Sequence, residues 1–226
     1  KQKIVISGQE YSILDFVNNN KLIANFPDIA ENLAVYFIEK GLNGRNCGKN
    51  SSLLYTFSQY GNISAVKLLI DNGYDINKKV SKDCTALMGA LSRDNFEVAK
   101  YLISIGCDVN DKMTNGQNAI YFSIKSNNNQ FSRELLDIVD IRQEYPEAIN
   151  LNGINLPANF NLLHLCCELK NLDLITVLIG MGMDLHDKGN CSKTPYQILA
   201  TKDIDDSVMD FITRPYNDYK DFIKNN

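Results

Sequence analysis

The residues best equipped for chemistry are His164, Cys166 and Cys167, in the run Leu163-His164-Leu165-Cys166-Cys167. Side chains three apart on a helix share a face, so the His164 imidazole and the Cys167 thiol can meet. An imidazole beside a thiol is the core of a nucleophilic pair. Nothing else in the chain supports that chemistry. Glycine-rich phosphate loops, HExxH, GxSxG and kinase signatures are absent. The other thiols are Cys47, Cys84, Cys107 and Cys191, none in a CxxC pair, and His186 is the second of only two histidines. Zinc ligands come at tight spacings that are missing here, so no cofactor or metal is expected. Unpaired structural thiols suit a reducing compartment.

What positions these residues is a repeat. Ser52, Thr85 and Asn118 are 33 residues apart, as are Gly73 and Gly106, and as are Asn161 and Thr194. Asp75-Ile76-Asn77 is answered by Asp108-Val109-Asn110. A fixed period of this size means stacked supersecondary units, each unable to bury its apolar face alone. In this register Cys166 and Cys167 correspond to Phe57-Ser58, Ala90-Leu91 and Ser123-Ile124, inside a first helix.

The unit Cys84–Met113 shows the physics. Thr85 can cap a helix through its hydroxyl. Leu87, Ala90 and Leu91 then give one apolar face, Asp94-Asn95 turns the chain, and Val98, Tyr101 and Leu102 repeat the spacing. Gly106 supplies the left-handed residue that ends the second helix. Two residues before each cap stand Asn50, Asp83, Gly116, Asn159 and Ser192, all turn formers.

This arrangement resembles the ankyrin repeat. Thr194-Pro195 matches the first half of its T-P-L-H start, Leu163-His164 the second half, and Gly106-Cys107-Asp108-Val109-Asn110 its G-A-D-V-N ending. No unit matches the start in full. The resemblance runs from about Ser12 to Thr213 and implies an all-α solenoid of about six helix-turn-helix units with short β-hairpin loops. It implies that His164 braces a turn, and that Asn77 and Asn110 brace hairpins. One domain, 1–226, is expected. It comprises an irregular unit 9–49, regular units 50–113, a unit with an insertion 114–157, units 158–213 and a capping segment 214–226. The insertion is Arg142–Leu151; its Glu144-Tyr145-Pro146-Glu147 either docks a partner or folds over a repeat junction.

Ankyrin-like stacks bind through loop tips and the exposed side of the first helix. On that analogy the candidate contact residues are Lys49, Gln59, Tyr60, Lys82, Ser92, Arg93, Asn115, Gln117, Lys125 and Lys193. Cys84, Cys191 and Lys202 fall at equivalent surface positions, and Lys79 lies just past a hairpin. Among twenty such positions in the regular units six are basic and none acidic, against about two of each expected from 23 basic and 27 acidic residues in 226. Glu168, in the irregular unit, runs against that bias. A basic groove in a chain of net charge −4 attracts an acidic protein surface or peptide. Tyr60 and Arg93, one unit apart, are residue types that dominate interface hot spots.

The expected function is therefore a non-catalytic, intracellular protein-binding scaffold. The chain starts at Lys1 rather than Met and reads as the recruitment module of a larger protein. The rival reading makes it the substrate-selecting part of an enzyme or secreted effector whose catalytic domain lies outside this segment. Its Asn, Ile and Lys content is similar to that of bacterial effectors directed at a host and of protist proteins. No apolar run approaches the roughly 18 residues of a membrane span. Nucleic acid is a poor fit, because exposed aromatics for base stacking are few.

Overall fold

The computed structural model describes residues 3–6, 9–12, 27–39, 53–151 and 153–214. The chain forms two compact units, Lys1–Thr114 and Asn115–Asn226.

In unit 1, β1 (Lys3–Ile6) pairs antiparallel with β2 (Gln9–Ser12), Lys3 opposite Ser12. Ser12, expected to open a first helical unit, therefore ends a strand. The helix expected after it, together with Cys47, Lys49 and Ser52, lies outside the described residues. Helix α1 is Pro27–Glu39. Two helix pairs come next: α2 (Leu53–Gln59) with α3 (Ile63–Asp71), and α4 (Ala86–Leu91) with α5 (Phe96–Ser104). First helices pack on first helices, α2 on α4, while α1, α3 and α5 pack in series. Leu54, Phe57, Ala90 and Leu91 are at most 1% exposed, as are Val66, Leu69, Val98 and Leu102. This is the stacked arrangement the period requires: no single pair encloses its own apolar face. Gly89 sets the approach of α4 to α2, since a Cβ there would lie 2.8 Å from the Tyr55 ring.

In unit 2, α6 (Ala119–Lys125) and α7 (Asn129–Leu136) are succeeded by four short strands. Strand β3 (Glu144–Tyr145) pairs with β6 (Phe160–Asn161), and β4 (Ile149–Leu151) with β5 (Ile154–Leu156). Then come α8 (Leu162–Glu168), α9 (Leu172–Gly180), α10 (Pro195–Leu199) and a helical stretch 206–214. Helix α8 packs between α6 and α10, and α7 packs on α9.

The expectation of an all-α chain is corrected by these strands. Within 142–161, the insertion and the residues leading to α8 form two small β ladders. Helix α7 starts at Asn129, where the Asn128 side chain accepts the Phe131 N–H at 3.0 Å and caps it. All but the first residue of the expected capping segment 214–226 lies outside the described residues. No helix among the described residues is long and apolar enough to cross a membrane.

The caps fall where the period puts them. Thr85, Asn118, Asn161 and Thr194 each accept the backbone N–H three residues on, at 3.4, 3.3, 3.1 and 3.1 Å. Asp83, Gly116 and Asn159, two residues before their caps, have positive φ of 59°, 82° and 61°. Each of these turns thus has the left-handed backbone that Gly, Asn and Asp tolerate best.

Candidate functional site

In unit 1, helices α2 and α4 end at the same level, and their last residues build the surface. Gln59 ends α2 and Tyr60 follows it, both half-buried; Ser92 and Arg93 come just after α4 and are exposed. The Arg93 guanidinium carbon stands 6.0 Å from the centroid of the Tyr60 ring, at the outer edge of cation–π contact. Burial pushes the Tyr60 phenol up, and Arg93 opposes that shift. The Tyr60 hydroxyl is enclosed without a hydrogen-bond partner. Beneath, Gln59 donates its side-chain amide to the Tyr55 hydroxyl at 3.2 Å. Burial drives the Tyr55 phenol to about 12, with the Cys84 thiol hydrogen-bonded beside it.

A side chain expected only to turn the chain locks this platform together. Asn95 donates to the Gln59 carbonyl at 2.8 Å, tying the end of α2 to the next repeat. The same turn recurs: Gly61-Asn62, Asp94-Asn95, Asn127-Asn128 and Lys170-Asn171 all place a positive-φ residue before the asparagine. In unit 2 Asn171 donates to Asn129 at 2.6 Å. The period carried this signal, because Asn62 and Asn95 are 33 residues apart.

Lys82 is exposed at the tip of the loop before α4, with φ 60°, and its carbonyl accepts the Thr114 N–H at 3.0 Å. Asn77 braces the neighbouring hairpin, its side chain accepting the Asp108 N–H at 2.8 Å. Not all the expected positive charge remains available. Lys79 is paired with Asp111 at 2.5 Å. Cys84 is 8% exposed, so it is a packed residue and not a surface one. It sits in extended backbone just before the Thr85 cap, and that turn tucks its side chain under the loop.

Unit 2 arranges the corresponding positions differently. Lys125 and Lys193 are exposed, but Asn115 and Gln117 are half-buried beside the insertion. Lys202 is paired with Glu168 at 2.6 Å, so neither adds a free charge. Cys191, also expected at the surface, is 2% exposed.

The insertion accounts for the change. Gln143 donates to the Gly116 carbonyl at 2.8 Å and accepts from the Asn118 side chain at 3.1 Å. The Tyr145 hydroxyl donates to the other end of that Asn118 amide at 3.0 Å, and its ring stacks on Phe160 at 4.7 Å. Glu144 accepts both the backbone and side-chain N–H groups of Asn190, at 3.1 and 2.8 Å. Of the two roles open to this segment, Tyr145 takes the internal one: at 1% exposure it is core.

The His164–Cys167 pair does not assemble as chemistry. The His164 Nε2 lies 2.8 Å from the Lys193 carbonyl, and Nδ1 lies 3.2 Å from the Asn161 N–H and 2.7 Å from its Oδ1. Burial lowers the pKa of the ring. The neutral tautomer therefore has Nε2–H donating to Lys193 and Nδ1 accepting from Asn161. Both nitrogens are spoken for, in a capping box that closes the turn before α8. Burial pushes the Cys166 and Cys167 thiols far up, away from thiolate. Among the described residues no group of three or more His, Cys, Asp or Glu side chains is placed to hold a metal.

No curated protein matches the chain. Residues 22–113 match the family described as ankyrin repeats, in three copies. Those residues span α1 to α5, the stacked helices that carry the Tyr60–Arg93 platform. Ankyrin repeats are in general protein–protein interaction modules. Period, caps, hairpin endings and family match agree that residues 22–113 are a region of ankyrin repeats.

Proposed function

We propose that this chain is a non-catalytic, intracellular protein-binding module that holds an acidic partner surface or peptide against unit 1, as the recruitment part of a larger protein. The observation that supports this most is the platform of Tyr60 under an exposed Arg93, flanked by Gln59, Ser92 and Lys82. An arginine on an aromatic ring keeps its forked donors pointing outward, ready for a carboxylate. The half-buried tyrosine loses little side-chain entropy on contact, which favours affinity. Lys82 adds a second positive charge at the loop tip. Lys125 and Lys193 are the equivalent exposed cations of unit 2, and Lys49 belongs to the same set by register.

The test is an affinity capture from cell lysate with the wild-type chain and with the double variant Tyr60→Ala/Arg93→Glu. Partners that come down with the wild type alone support this surface. Identical partners with both place binding elsewhere. A partner whose affinity falls steeply with salt in proportion to phosphate contacts would be nucleic acid instead.

A further inference from the structure

Unit 2 contains a cleft of about 370 Å³ between the loop Asn115–Gln117 and the segment 147–150, floored by Tyr145 and Phe160. This is at the small end of ligand clefts, roughly 300–1,000 Å³. Its rim differs from the rest of the insertion. Gln143, Glu144 and Tyr145 all have their polar atoms engaged within the chain. On the rim, Gln117, Glu147 and Asn150 make no side-chain hydrogen bond or ion pair among the described residues. Asn115 uses only its Oδ1, on the Gln117 N–H at 3.2 Å.

That set selects by chemistry. Glu147 is the only charged side chain on the rim and repels phosphates and carboxylates. The aromatic floor is closed, Tyr145 at 1% and Phe160 at 0% exposure, so an apolar ligand gains little. Uncommitted amide oxygens and one carboxylate suit a cation with many donors and no acceptor. A guanidinium is that cation, and its fork matches a carboxylate side by side. Ala148 and Ile149 give the wall against which a long aliphatic stem can lie. Four consecutive residues, 147–150, along one side favour a ligand that is itself a peptide chain.

We propose that this cleft receives an arginine side chain from an extended segment of a partner protein, with Glu147 as its counter-ion and Gln117 and Asn150 orienting the guanidinium. The site rests on the cleft of unit 2 alone and holds whether or not the unit 1 platform binds anything.

The experiment is an NMR titration of the 226-residue chain with the blocked peptide acetyl-Gly-Arg-Gly-amide. Parallel titrations use the citrulline and glutamate versions of that peptide and free arginine. Expected are saturable shifts in the side-chain amides of Asn115, Gln117 and Asn150 with the arginine peptide, and none with glutamate. Citrulline keeps the shape and loses the charge, so it should bind about tenfold more weakly. Glu147→Gln should weaken the arginine peptide by about the same factor. Glu147 is exposed, so the variant keeps its amide spectrum otherwise. Arg93→Glu should leave the titration unchanged, which separates this site from the unit 1 surface. Equal binding of citrulline and arginine, an unaltered titration in Glu147→Gln, or shifts away from the cleft would overturn the proposal. Free arginine binding as well as the peptide would assign the cleft to a small guanidino compound and overturn the peptide assignment.

Discussion

Thr85 and Asn118 hold the same place in consecutive repeats, and each caps the first helix of its unit. Thr85 spends its side chain on one backbone N–H. Asn118, fully buried, takes the equivalent N–H and also meets Gln143 and the Tyr145 hydroxyl. The difference shows what an insertion does to a repeat surface. In unit 1 the loop tips and first-helix ends face water, with Lys82, Ser92 and Arg93 exposed. In unit 2 the inserted strand fills that layer and turns cap and loop residues into internal partners. One surface is left open to water; the other is mostly occupied from within.

The largest expected effect tests that occupation. Asn118→Ala removes the cap and leaves the Gln143 Oε1 and the Tyr145 hydroxyl buried without their Asn118 partner, and should cost about 3–4 kcal/mol. Thr85→Ala loses only a cap, about 1 kcal/mol. Urea unfolding of both variants gives the comparison. Equal losses would mean that the insertion network contributes nothing.

The next pair separates backbone conformation from crowding. Gly73 and Gly116 both have positive φ, 79° and 82°. A Cβ at Gly73 meets nothing within 4 Å, whereas one at Gly116 would lie 2.5 Å from Pro146 Cδ. Gly73→Ala should cost about 1 kcal/mol from backbone strain alone. Gly116→Ala should cost about 2–3 kcal/mol, since the insertion must also shift. Similar values from thermal melts would show that Pro146 yields freely.

A smaller effect comes from pH. The folded state lowers the His164 pKa by burial, while the unfolded chain titrates near about 6.5. Below that value the unfolded state binds the proton and the folded state does not, so stability falls as pH drops from about 6.5 toward the lowered folded value. Above about 6.5 the contribution is complete. His164 lies in unit 2, so its loss in this window should track unit 2. His164→Gln should flatten it, as read from denaturant midpoints between about pH 5 and 8.

Much of this was legible in the residues, and the pattern of what was not is physical. Caps, helix-ending glycines and the positive-φ turn residues recur every 33 positions, so each role is sampled several times and chance similarity averages out. Pairing of first helix with first helix comes from the same spacing. The strands of the insertion occur once, and two- or three-residue strands are too short to show alternation. The sequence left Tyr145 open between docking a partner and folding over a repeat junction, because an aromatic among acidic residues and proline reads as a loop either way. Only the fold brings Asn118 and Phe160 to it. The burial of Cys84 and Cys191 was hidden because position in a repeat gives register along the helix but not the direction in which a pre-cap residue tucks. The loss of Lys79 and Lys202 to Asp111 and Glu168 was hidden likewise, since such ion pairs join residues more than thirty apart. The Tyr60–Arg93 pair was legible, because neighbouring first-helix ends one period apart must lie side by side.

The central claim is that one local surface, rather than the charge of the whole chain, binds the partner. It is tested most directly by measuring the affinity of a captured partner for Arg93→Glu and for Lys100→Glu. Both residues are exposed and both substitutions change the charge equally, but Arg93 lies in the turn just after the first helix α4 and Lys100 lies on the second helix α5. Arg93→Glu should weaken binding about tenfold or more while folding stability moves by no more than about 0.5 kcal/mol. Lys100→Glu should leave affinity within about twofold. Equal losses from the two would contradict the account, because attraction would then belong to net charge and not to the Tyr60–Arg93 platform.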